Sequence, residues 1–146
     1  MVQGTGELPD LTALENAASR VYRVLQPTPQ INWPLLSRRC GCDVWVKHEN
    51  HNPTGAFKVR VGIVYMDGLV ERDPGVRGVV AATRGNHGQS VAYAAALSGL
   101  EAVVVVPEGN SADKNRAMEA FGAWLVVHGR DFDDSLAHAQ NLAQER

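Results

Sequence analysis

Gly78-Val79-Val80-Ala81-Ala82, followed directly by Thr83-Arg84-Gly85-Asn86-His87-Gly88-Gln89-Ser90, passes from an unbroken apolar run through a glycine-bearing turn into an alanine-rich segment ending at Leu97. Five apolar residues without polar alternation read as a strand buried on both faces, and Asn86 to Leu97 reads as a helix. Two similar units follow. Val103-Val104-Val105-Val106 stops at Pro107 and leads to a helical stretch from Ala112 to Phe121, and Trp124-Leu125-Val126-Val127 precedes a helix beginning near Asp133. Apolar strands alternating with helices predict an α/β fold, an open parallel sheet with helices on both faces.

Upstream of this core the pattern is less regular. Leu11, Leu14, Ala18, Val21 and Leu25 recur at threes and fours, which predicts a helix from Leu11 to Leu25 capped by Asp10. Pro27, Pro29 and Pro34 punctuate an extended connection, Asp43 to Lys47 alternates as a short strand, and a further helix is expected from about Ala56 to Val70 with Thr54 as its cap. The last helix places Phe132, Leu136, Ala139 and Leu142 on one stripe and meets no Gly, Asn or Pro stop signal before Arg146, as if a continuing pattern were cut.

The 146 residues, 45% of them hydrophobic, suffice for a packed core. A formal net charge of -2 gives no electrostatic reason to bind nucleic acid or an anionic membrane, so a small-molecule partner is expected. Met1 to Asp10 carries neither a basic nor an apolar leader pattern and no apolar run approaches membrane-spanning length, from which a cytoplasmic location is expected. Cys40 and Cys42 match neither a CxxC nor a zinc spacing and read as turn or core thiols. His48, His51, His128 and His138 lack ligand spacing, so no metal site is expected, and Trp33, Trp45 and Trp124 read as core or interface aromatics.

Two segments carry chemistry. Lys58, in Pro53-Thr54-Gly55-Ala56-Phe57-Lys58-Val59-Arg60, lies just inside a predicted helix, where the positive end of the helix disfavours an ammonium and would favour a nucleophilic amine. An ordinary solvated lysine on a helix fits the same spacing. Thr83 to Ser90 lies between a strand end and a helix start, where free N–H groups favour a carboxylate or phosphate. It is neither a G-x-G-x-x-G fingerprint nor a P-loop, and a plain turn with Asn86 as cap fits it equally.

Together, residues 53–60 and 83–89 resemble, in order and spacing, two signatures of the fold type II pyridoxal-phosphate enzymes of the threonine/serine dehydratase group. The resemblance extends from about Thr28 through Leu35-Leu36-Ser37, Trp45-Val46-Lys47-His48-Glu49-Asn50, Val106-Pro107 and Lys114-Asn115 to Gly122-Ala123 and the residues after Gly129. It implies pyridoxal 5'-phosphate as cofactor, held by Lys58 as a Schiff base, with Phe57 beside the ring and Asn86 on the 3-hydroxyl. Lys58 would then serve as general base, and Thr83, Arg84, Gly85, Asn86 and His87 form the substrate segment, with Thr83, Gly85, Asn86 and His87 around the carboxylate. The implied reaction is dehydration of threonine or a related β-hydroxy amino acid to a 2-oxo acid and ammonia, in a protein that family habit makes a homodimer.

Two departures stand out. Val61 and Gly62 replace the family's Gly-Ala or Gly-Gly, and Val61 is expected to crowd the packing. Arg84 occupies the position where racemases of the group carry a serine; an arginine is a poor proton carrier, which demotes a racemase. Arg84 either reaches away from the site, the preferred reading, or meets a substrate with an extra acidic group. The resemblance also implies that complete members are about twice as long, with a later glycine-rich phosphate loop for which this sequence has no counterpart. Residues 1–55 then belong to an incomplete larger domain and 56–146 to the smaller α/β domain. Leu14, Val21, Leu35, Leu36, Val44 and Val46 would lack packing partners, and the chain alone is expected to be weakly active or inactive. A non-catalytic α/β module with the family fold is the alternative.

Overall fold

Strand β4 (Glu101–Val106) is the axis of the molecule, with β3 (Gly78–Ala82) and β5 (Trp124–Val127) parallel on either side. Gly78 pairs with Glu101 and Ala82 with Val105 on one edge, Val103 with Trp124 and Val106 with Val127 on the other. The computed structural model describes residues 8–145. Ala102 to Pro107 are all buried, as an unbroken apolar strand requires, since each buried valine contributes roughly 1.5–3 kcal/mol relative to exposure. The predicted parallel sheet is therefore present, with three strands.

Helix α4 (Asn86–Leu97) covers β3 and β4, and α5 (Ala112–Ala120) packs on α4 and β5. Helix α6 (Phe132–Glu145) packs on β3 and β4 from the other side, so both faces are covered. Ser135 ties its start to the sheet by donating to the His128 carbonyl at 2.7 Å. Helix α3 (Lys58–Arg72) lies outside α4, and the two pack more extensively than any other pair of elements. Gly62 makes that approach possible: a Cβ there would lie 2.5 Å from Ser90 Oγ and 2.9 Å from the Ser90 carbonyl oxygen. Val61 does not crowd this contact, contrary to the sequence expectation, because it points away and is 64% exposed.

The N-terminal part is built differently. Helix α1 (Leu11–Tyr22) starts where expected, with the Asp10 carboxylate accepting from the Ala13 amide, and ends one turn early, at Tyr22. It joins α3 through Val21, which is buried in the core and has not lost its partners, and through the ion pairs Arg20–Glu71 and Arg23–Asp67. The proline-punctuated connection is not simply extended. It contains strand β1 (Gln30–Asn32), antiparallel to β2 (Trp45–Lys47), and a helix, α2 (Pro34–Cys40). Pro34 starts that helix because its missing N–H is unneeded in a first turn, and Gly41, at φ +71°, ends it. Cys40 and Cys42 lie exposed around this turn, so neither is a core thiol. Trp33, Trp45 and Trp124 are exposed too, which removes the core reading for all three.

Candidate functional site

The site is assembled at the C-terminal end of β3, where the loop 83–85 enters α4. Thr83 is buried, and its Oγ1 accepts from the amides of Gly85 at 3.1 Å and Gly88 at 3.2 Å, which folds the turn back on itself. Gly88 is obligatory: a Cβ would fall 2.3 Å from Met118 Sδ and 2.4 Å from Thr83 Cγ2. The N-cap of α4 is Gly85, with no side-chain cap, not Asn86 as the plain-turn reading had it. The Asn86 and His87 amides therefore find no acceptor among the described residues, and they sit at the positive end of a twelve-residue helix with no acidic residue in its first turn. Such an end favours an anionic group. The Lys114 side chain crosses the same turn, with Nζ 3.0 Å from the place a Gly85 Cβ would occupy.

Lys58 is the first residue of α3, and the segment before it is fixed from several sides. Thr54 is not the helix cap. The cap residue is Phe57, which offers no side-chain bond, while buried Thr54 donates to the Ala56 carbonyl at 3.3 Å. Buried Asn52 donates to the same carbonyl at 3.3 Å and to Glu49 Oε2 at 2.8 Å. Glu49, in a single 3₁₀ turn (Glu49–His51), receives Arg60 Nε at 2.7 Å, Arg60 Nη2 at 3.0 Å and the Thr28 hydroxyl at 2.6 Å. The bidentate Arg60 contact, with further donors from Thr28 and Asn52, outweighs partial desolvation and holds the Glu49 carboxyl down to about 2. This polar hub links the β1–β2 ribbon to the first turn of α3 on either side of Lys58.

The two signature segments meet. Ser90, almost wholly buried in α4, donates its hydroxyl to the Lys58 carbonyl at 2.6 Å. His87 has its pKa lowered, first by partial desolvation and then by the positive charge of Lys58, so its ring is kept neutral at neutral pH. The amine of Lys58 is exposed and has no ion pair or hydrogen bond among the described residues. Phe57, Arg84 and Asn86 are likewise exposed, and their side chains make no hydrogen bond or ion pair to the rest of the site. No group of three metal-ligating side chains is found among the described residues.

Sequence reasoning assigned no role to Ser90, Glu49 or Arg60. Ser90 carried a readable signal, a polar residue on the buried stripe of a helix otherwise made of Val91, Ala92, Ala94 and Ala95. Glu49 and Arg60, eleven residues apart on different elements, carried none.

The sequence of residues 21–146 matches the model of the pyridoxal-phosphate dependent enzyme family. The chain is 35% identical over 136 residues to the biosynthetic L-threonine dehydratase of Haemophilus influenzae, covering 93% of this chain and 26% of that protein. It spans about a quarter of the length of the first few curated relatives it matches. Among solved structures, a pyridoxal 5'-phosphate-dependent aspartate racemase superposes with a TM-score of 0.87 at 31% identity, over 95% of this chain and 45% of that one. A threonine deaminase from T.th. does so with a TM-score of 0.80 at 31% identity, over 94% and 42%. The residues in place suit the family's cofactor at one end: an exposed lysine amine and a carboxamide at Asn86, neither with a partner among the described residues, and an exposed aromatic side chain on the residue before the lysine. By sequence and by fold, the chain belongs to the pyridoxal-phosphate dependent enzymes.

Proposed function

We propose that this chain carries the reactive lysine and the substrate-carboxylate loop of a dehydratase acting on threonine or a related β-hydroxy amino acid. The observation that carries this reading is the junction of Lys58 with the loop 83–88, through the Ser90 bond and the electrostatic contact with His87. Pyridoxal phosphate, when bound, supplies an electron sink for negative charge at the substrate's Cα. Lys58 Nζ is the group that would hold the cofactor, and its free amine would take the Cα proton. Phe57 would lie beside the cofactor ring and the Asn86 carboxamide would bind its 3-hydroxyl. The substrate carboxylate would lie among Thr83, Gly85, Asn86 and His87, where free amides and the helix end favour its charge. A neutral His87 serves there as a hydrogen-bonding group and adds no charge to repel Lys58. Loss of the β-hydroxyl as water would release an enamine, whose hydrolysis by a second water gives the 2-oxo acid and ammonia. Arg84 reaches away from the site, in keeping with its exposure and lack of partners among the described residues.

In the same reading, residues 1–55 form part of a larger domain whose remaining mass lies beyond these residues, and 56–146 form the smaller domain. The outward-facing Leu14, Leu35 and Leu36 support that division. The short share of its relatives that the chain spans favours a second reading, a module with the family fold and no turnover of its own. The test is release of 2-oxo acid from threonine, serine and 3-hydroxyaspartate by the chain with pyridoxal phosphate, beside a Lys58→Ala variant. Turnover above the free-cofactor background that vanishes in Lys58→Ala is the expected result, weak in amount because the chain spans about a quarter of the length of its relatives. Equal turnover in both proteins contradicts the role of Lys58, and none above background leaves the non-catalytic module.

A further inference from the structure

Ser90 is 2% exposed, on the face of α4 that meets α3. An alanine would fill the same space with nothing to satisfy, whereas a buried hydroxyl is costly unless bonded. Its bond, 2.6 Å to the Lys58 carbonyl, joins the first turn of α3 to the second turn of α4. That place is a close approach and not a loose contact, since Gly62 leaves room for Ser90 only by lacking a Cβ.

We propose that Ser90 is a positioning residue that fixes Lys58 against the loop 83–88, an inference that rests on Lys58 being the cofactor lysine. The packed Gly62–Ser90 contact sets the separation of the two helices, and the hydroxyl sets their register. Together they hold the Lys58 amine at the distance from His87 and the loop at which it reacts. The bond fixes the backbone from which the Lys58 side chain extends, so loosening at this point shifts the range of positions its amine can reach near the loop.

The experiment compares the wild-type chain with Ser90→Ala and Ser135→Ala. The second variant loses an equally buried hydroxyl that serves the His128 and Asp131 carbonyls, away from Lys58. Each is treated with pyridoxal phosphate and borohydride, the rate of labelling at Lys58 is measured relative to Lys47 and Lys114, and the titration of His87 is followed by NMR. Ser90→Ala is expected to slow labelling of Lys58 about threefold or more and to move the His87 midpoint up toward its ordinary value, with both unchanged in Ser135→Ala. Ser90→Cys, which keeps a weaker donor in nearly the same volume, is read in the same way should the alanine variant not fold. Unchanged Lys58 labelling with an unchanged His87 midpoint in a folded Ser90 variant overturns the inference. If Lys58 takes no label even in the wild-type chain, the cofactor reading falls separately. The His87 midpoint, which needs no cofactor, then decides alone: a shift supports a positioning role for Ser90 and no shift overturns it.

Discussion

Residues 58–145 and residues 8–57 contain similar apolar side chains and use them in opposite ways. In the first region Val59, Ile63, Met66, Val104, Val106 and Met118 close on one another, and the sheet is covered on both sides. In the second, Leu11, Leu14, Trp33, Leu35 and Trp45 face outward, Leu35 at 76% exposure, and α1 borders an apolar groove with Val61, Val64 and Tyr65 of α3. The second region is held to the first by Val21 and Leu25, which are buried in the same core, and by polar contacts: Glu49 with Arg60, Thr28 and Asn52, and the α1–α3 ion pairs. An apolar sequence pattern thus specifies a buried face only where the partner surface is among the same residues. Elsewhere directed polar contacts share the work with a few buried anchors such as Val21 and Leu25, and the rest of the apolar face remains open.

The two regions should differ most in how they tolerate a side chain at a glycine. Gly88→Ala drives a Cβ into Met118 and Thr83 and is expected to cost about 3 kcal/mol or more, measured by denaturant unfolding. Gly41→Ala in the other region meets nothing within 4 Å and should cost only the strain of φ +71°, about 1 kcal/mol. Equal costs would contradict the contrast between a packed and an open region.

The polar hub gives the next largest effect. Glu49→Ala leaves Arg60 without its partner in a setting where both side chains are 19% exposed, and a loss of about 2–3 kcal/mol is expected. Because the folded carboxyl is depressed from 4.5 to about 2, its contribution is fully present above about pH 4.5 and is lost as the pH falls toward 2. Glu49→Gln should therefore flatten the acid limb of the stability profile in that window, and an unchanged limb would show the hub to be unimportant.

Apolar substitutions probe the same contrast on a smaller scale. Val104→Ala in the sheet should cost about 2 kcal/mol, whereas Leu35→Ser should change stability by no more than about 0.5 kcal/mol and reduce binding of an apolar dye. The smallest effect is electrostatic. Lys58→Ala should raise the depressed His87 midpoint only part of the way to 6.5 in an NMR titration, because desolvation is the larger cause and remains.

Legibility in the sequence followed the same division. Strands β3 and β5 and helix α4 have the expected bounds, because continuous apolar runs ended by Gly or Pro have one solution in an α/β domain. Helix α2 was hidden by reading Pro34 as part of an extended run when proline equally suits a first helical turn. The caps at Thr54 and Asn86 failed because the true cap positions are Phe57, three residues after Thr54, and Gly85, one residue before Asn86, and no local pattern distinguishes these. Lys58 and the loop 83–88 were recognisable as segments, but their junction was not: the Ser90–Lys58 bond spans 32 residues and depends on the closeness that Gly62 permits.

Everything proposed for this chain turns on Lys58, held beside the loop 83–88, being the amine it presents to pyridoxal phosphate. The most direct measurement is the absorbance of the purified chain with added pyridoxal phosphate, before and after borohydride reduction, with mass mapping of the label over Lys47, Lys58 and Lys114. A protein-bound band near the visible edge and a label concentrated on Lys58 are expected. No band, or a label spread over the three lysines, would contradict the claim that these residues form a competent half-site for the cofactor.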